Sequence, residues 1–116
     1  MAKLERVISA DIDVLVEKVQ REILSGSMSA SLEESSDAVI DGVRVVTRTM
    51  ERYSMLGGNR VSMNIVFVQG SSDSQVYVCA TTSGGGGGII KIIGWGEDTF
   101  LEKLEAILDR AQAGEM

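Results

Sequence analysis

The chain has no histidine, no proline and a single cysteine among its 116 residues. Each absence removes a class of chemistry. Without histidine there is no Ser-His-Asp or Cys-His nucleophile system and no imidazole metal ligand. With Cys79 alone, no internal disulfide can form, and one chain cannot assemble a structural zinc site. Without proline there is no cis-proline turn. There is also no long apolar run near the start, where Glu5, Asp11 and Asp13 break the pattern. That excludes a secretory core segment and a spanning helix there, and the expectation is a cytosolic protein with no membrane partner.

Positive charge is in deficit as well. The net charge of −6 favours solubility. It argues against nucleic acid or an anionic membrane as the main partner, because both reward a basic footprint. What is present is an ordinary globular balance, 44% apolar and 24% charged, over a length that suits one domain spanning residues 1–116. A chain of this size buries roughly two thirds of its unfolded surface, enough for one hydrophobic core.

The local pattern predicts strand and helix elements in turn. Leu4 and Val7-Ile8 suit a short first strand. Ser9 is placed as a helix N-cap, with Asp11 and Asp13 near the positive end of the helix dipole. Ile12, Leu15, Val16, Val19 and Ile23 recur at helical spacing, and Gly26 is positioned to stop the helix in a left-handed cap. Met28, Ala30 and Leu32 alternate with polar residues as in a half-buried strand.

Asp41-Gly42, between Val39-Ile40 and Val43-Val45, is the strongest hairpin signal. A long Val- and Thr-rich arm then runs to Met55, and Leu56-Gly57-Gly58-Asn59 reverses it. Val61, Met63, Ile65 and Phe67 alternate in the next arm. Val76, Val78 and Ala80 alternate with Tyr77, Cys79 and Thr81 after the polar turn at Gly70–Ser74. Ile89–Ile93 suits a last short strand. Phe100, Leu101, Leu104, Ile107, Leu108 and Ala111 form the stripe of a closing helix that Gly114 ends. The expected fold is α+β, a two-layer sandwich. An antiparallel meander of four to six strands carries an N-terminal and a C-terminal helix on one face.

Several features have a chemical reading beside a structural one. Gly84–Gly88, with Lys91 close by, suits a backbone anion nest. The spacings of the phosphate-binding and dinucleotide-binding loops are absent, however, and Glu97 and Asp98 would repel a phosphate. A flexible connection is the simpler account, and no cofactor is expected. Arg44, Arg48 and Arg52 share one strand face because their spacing is even, which suits a carboxylate or phosphate ligand.

A two-residue turn at Asp41-Gly42 would set position 37 opposite 46 and 33 opposite 50. Asp37 and Glu33 then lie diagonal to those arginines as cross-strand charge pairs. A two-residue turn at Gly57-Gly58 would put Met63, Ile65 and Phe67 on the arginine face. A three-residue turn including Asn59 would put them with Val43 and Val45, on the face of Leu32. Burial favours the second, or else a bulge in the long strand. Cys79, inside a strand, reads as a packed thiol. Trp95 is placed to cap the core or mark an interface. Glu33, Glu34, Asp37 and Asp41 include spacings of a carboxylate pair, though charged strand ends and turns explain them more simply.

Ser27–Asp37, Glu51–Asn64, Thr82-Ser83-Gly84-Gly85 and Gly96–Leu101 together resemble a family of small bacterial proteins of about this length with no assigned function. Glu51–Asn64 is the most specific piece, and the unbroken glycine run departs from the family's usual loop. The resemblance implies a bacterial, cytosolic protein and supplies no catalytic residue.

Three functions therefore compete. The first is a non-enzymatic binding or assembly module, a homodimer that covers the free edges and second face of the sheet. The second is a binder of a small anionic or polar ligand between sheet and helices. Arg52, Tyr53, Asn59, Arg60, Asn64, Thr82 and Ser83 are its candidate residues, where the Glu51–Asn64 hairpin meets Thr82-Ser83. The third is a carboxylate- or lysine-dependent enzyme, which needs buried, pKa-shifted groups in a cleft.

Overall fold

The apolar stripes decide the architecture, because each helix must bury one side and each strand one set of alternate residues. The computed structural model describes residues 2–26, 29–54, 59–84 and 97–114. Its elements are β1 (Ala2–Ser9), α1 (Ile12–Ser25), β2 (Ser31–Ile40), β3 (Val43–Ser54), β4 (Asn59–Gln69), β5 (Gln75–Gly84) and α2 (Glu97–Gln112). The strands make one antiparallel sheet in the order β1-β5-β4-β3-β2. β2 to β5 form a meander, and β1 closes onto β5. Both helices lie on one sheet face, so the fold is the α+β sandwich that the stripes predict. Met28, the reversal at 55–58, the glycines after Gly84, Lys91, the Ile89–Ile93 strand and Trp95 lie outside the described residues.

The core holds Leu15, Val19 and Ile23 from α1, and Phe100, Leu104 and Leu108 from α2. They pack on Met63, Ile65 and Phe67 of β4 and on Val76, Val78 and Ala80 of β5. Two helix boundaries differ from expectation. Asp11, not Ser9, is the N-cap of α1, its carboxylate accepting from the amides of Asp13 and Val14. Ser9 is still strand, paired with Gln75. Gly26 ends the helix with φ −86°, a right-handed cap, its amide donating to the Glu22 carbonyl. The left-handed turn is therefore unused.

The hairpin forms at Asp41-Gly42 with φ of 51° and 81°. Positive φ at both positions matches the twist of the flanking strands, and Asp and Gly are residues that tolerate it. Ile40 pairs with Val43 and Asp37 with Val46, as expected. Farther from the turn the register slips. Leu32, not Glu33, pairs with Met50, because a bulge falls between Leu32 and Glu34. Leu32 itself is exposed rather than half-buried.

The larger correction concerns faces. Met63 pairs with Met50, Ile65 with Arg48 and Phe67 with Val46, so these core residues share the face of Arg44, Arg48 and Arg52. The arginines tolerate this face because long stems can lie on apolar surface while the heads reach polar groups. Arg44 reaches Asp13 at 2.9 Å, Arg48 reaches Gln20 at 3.0 Å and Arg52 reaches Thr99 at 2.7 Å.

Thr82 also faces inward and is 1% exposed, and its hydroxyl has no hydrogen-bond partner among the described residues. A buried hydroxyl left unsatisfied costs about 1–3 kcal/mol. Thr82→Val keeps the shape and removes the cost. It is expected to raise stability by about 1 kcal/mol. The readout is a higher urea midpoint at unchanged slope; a lower midpoint would show that the hydroxyl has a partner in solution.

Candidate functional site

Strand pleating sorts the candidate residues before any chemistry does, since neighbours in a strand point to opposite faces. Arg52 and Thr82 face the helices. Tyr53, Arg60, Asn64 and Ser83 face away from them, on the open side of the sheet. Asn59 pairs through its backbone with Ser54. The seven positions therefore do not line one pocket between sheet and helices.

On the inner side, Arg52 donates to the Thr99 hydroxyl and lies over the Phe100 ring, 4.7 Å from its centre. Half-burial lowers its pKa, since a charged head loses hydration there. On the outer side, Arg60 sits 5.5 Å from the Tyr53 ring centre and pairs with Glu51 at 2.9 Å. Ser62 donates to the same carboxylate. Ser29 Oγ donates to the Tyr53 carbonyl and accepts from its amide, which clips the segment before β2 onto β3. Thr49 donates to Asn64 across the strands. The space beside Arg52, Tyr53 and Arg60 measures about 70 Å³. Ligand pockets run to roughly 300–1,000 Å³, so this one is too small for a metabolite.

Gly84 closes the same corner. It pairs with Val61 as part of β5, with φ +95°. A Cβ there would stand 2.5 Å from the Arg60 carbonyl oxygen, so the first glycine of the run is required by its backbone.

A larger cleft, about 290 Å³, opens between α1 and β3. Val16, Leu24 and Val46 supply its apolar walls, and Asp13, Glu17, Asp37, Arg21 and Arg48 its charges. Arg44 holds the Asp13 carboxyl below its usual range through a hydrogen bond. Asp37 stands 3.9 Å from Arg44 and 3.8 Å from Arg48, so the diagonal charge pairing holds for this carboxylate. Glu33, at the bulge, instead accepts from Ser31.

Two polar arrangements escape a reading of the sequence. Gln69 is buried, its Oε1 accepting from the Ile12 amide at 3.0 Å and its Nε2 donating to the Ala10 carbonyl at 2.8 Å. The signal was its place after Met63, Ile65 and Phe67 in the inward register. Lys18 is buried on α1 and pairs with Glu22 at 2.6 Å, and Glu22 also takes Arg110 of α2 at 2.6 Å. Lys18 first, then Arg110, holds the Glu22 carboxyl below its usual range. The stabilisation of that ionised carboxyl is present above the ordinary carboxylate pKa and fades as pH falls through the lowered value. Among the described residues no group of three or more Cys, Asp or Glu is arranged to hold a metal ion.

The open face has its own pattern. The registers align Val7, Tyr77, Val68, Val45 and Ala38 in one row across all five strands. Val7 is 53% exposed and Tyr77 39%. Cys79, half-exposed, lies in the next row beside Val66, so this thiol is not packed in the core. Tyr77 donates to Glu5 at 2.6 Å, which lowers the Glu5 pKa and pushes the phenol pKa up. No helix among the described residues is long and apolar enough to cross a membrane.

Comparison with curated proteins finds no match. A family model does match, over residues 1–112, nearly the whole chain. That match places the α+β sandwich: the chain belongs to a family of unknown function, DUF6054.

Proposed function

We propose that this domain is a non-enzymatic assembly module that forms a two-fold homodimer by packing two open sheet faces together. The carrying observation is the apolar row Val7-Tyr77-Val68-Val45-Ala38, which crosses the whole sheet face that no described helix covers. Five strands of about ten residues present roughly 24 × 33 Å, or about 800 Å², which is the area one partner contributes to a standard interface.

Charge on the face is compatible with burial, because Glu5 is met by Lys3 and Tyr77, and Glu51 by Arg60. A two-fold operator brings the same row against itself, and two sheets pack face to face about 10 Å apart. The shifted carboxylates Glu5, Asp13 and Glu22 are each held by a cation or phenol at the surface, not gathered in a catalytic cleft.

Sedimentation equilibrium across micromolar concentrations tests the reading. The wild type is expected to dimerise. Val68→Glu, which buries a charge at the centre of the row, is expected to weaken the dimer at least ~30-fold, as loss of a hot spot worth about 2 kcal/mol does. A wild type that stays monomeric throughout, or a variant that dimerises equally well, removes the open face as the interface.

A further inference from the structure

A second surface is unfinished. Among the described residues β2 forms one edge of the sheet, and each of its residues after Ser31 is exposed. Ile40 and Val43 close a two-residue turn and so form a hydrogen-bonded pair. Alternation along the ladder then turns the N–H and C=O groups of Val39, Asp37 and Ser35 outward, away from β3. Such an edge is a template for another strand unless it is blocked. The opposite edge, β1, carries Lys3 and Arg6, and Arg6 is tied to Glu105 of α2. β2 carries no lysine, arginine or proline. It exposes Val39 at 64% and Ile40 at 63%.

We infer that the β2 edge receives an extended peptide strand bearing basic side chains, from a partner other than a second copy of this chain. Charge selects the occupant. Glu33, Glu34 and Asp37 stand on β2, and pairing two such strands would set like charges against each other, which is destabilising. A basic strand meets them with opposite charge.

The cleft between α1 and β3 lies on the helix side of the same edge, with Asp37 of β2 in its wall. A strand added about 4.8 Å outside β2 sends alternate side chains toward α1. The one opposite Asp37 points its cation at Asp37 and its stem toward Leu24, beside Glu17, which Arg21 holds at 2.6 Å. The cations already present there are shared: Arg44 and Arg48 stand 3.9 and 3.8 Å from Asp37 but hydrogen-bond elsewhere, Arg44 to Asp13 and Arg48 to Gln20 and the Thr47 carbonyl, while Arg21 is on Glu17. On the other side of the added strand, apolar residues cover Ala38 and Ile40.

The edge amides point in the plane of the sheet and the added strand borders the open face only at Ala38 and Ile40, so amide protection at the edge and dimerisation through the face are read separately. The test uses amide exchange by NMR on the whole chain. The probe is an acetylated and amidated heptapeptide of alternating valine and lysine, with glutamate in place of lysine as control. The expected result is new protection at Ser35, Asp37 and Val39. Binding should be about tenfold weaker for the glutamate peptide and should weaken with salt. Val39→Pro removes an outward N–H at an edge, where proline is tolerated, and should cut affinity about tenfold with the urea midpoint little changed. Asp37→Lys should do the same for the basic peptide alone. Equal binding of both peptides, or protection confined to β1, overturns the inference. Protection of the same amides that rises with protein concentration, without peptide, also overturns it and gives the edge to a second copy.

Discussion

Phe67→Ala is expected to lower the unfolding free energy by about 3–5 kcal/mol, the range for removing a buried aromatic ring. Phe67 is fully buried in β4 and pairs with Val46 on one side and Val78 on the other, both buried too. Strands on both sides fix the backbone around the vacated space, so the site cannot collapse easily, and the residual cavity adds to the lost transfer energy. A domain of this length has a total stability of about 5–15 kcal/mol, so the variant loses a large share of it. Urea unfolding followed by far-UV circular dichroism measures the loss, with Phe67→Leu as a milder control. A cost under about 1 kcal/mol would mean that the ring is not in the core as placed.

Gln69→Leu is the second large effect, expected at about 2–3 kcal/mol from polar groups left without partners. Gln69 satisfies the Ile12 amide and the Ala10 carbonyl, while Asp11 serves the next two amides of α1. Leucine keeps the volume but strands a helix N–H and a loop carbonyl where water is excluded. Hydrogen exchange separates this mechanism from a general loss of packing. The amides of Ile12, Asp13 and Val14 should exchange faster than the rest of α1. Uniform acceleration along the helix would count against the capping role.

The stripes of α1 and α2, the Asp41-Gly42 turn and the alternation of β5 are local, so each is legible from neighbouring residues. The facing of β3 against β4 is not. Arg44, Arg48 and Arg52 look like a solvent face, yet they share a face with Met63, Ile65 and Phe67. Their stems carry the apolar contact and their heads find Asp13, Gln20 and Thr99 on helices far along the chain.

Gln69 is hidden for the same reason, since its partner Ile12 lies 57 positions away. The candidate site met a simpler obstacle. Arg52 and Tyr53 are adjacent in sequence, and adjacency in a strand means opposite faces. Grouping residues by proximity along the chain therefore gathered side chains that the pleat divides.

The closing of β1 onto β5 has a consequence for how the molecule comes into being. Ala2 is matched with Thr82, and β1 is also tied to α2 by Arg6–Glu105 and by the Ser9 amide on Gln112. The earliest-made strand thus has both of its partners among the latest-made segments. Translation at about 5–20 residues per second leaves that strand waiting several seconds for them. The α1 stripe waits as well, because its sheet does not yet exist. Until those segments are made, the nascent chain offers chaperones an unpaired strand and an amphipathic helix.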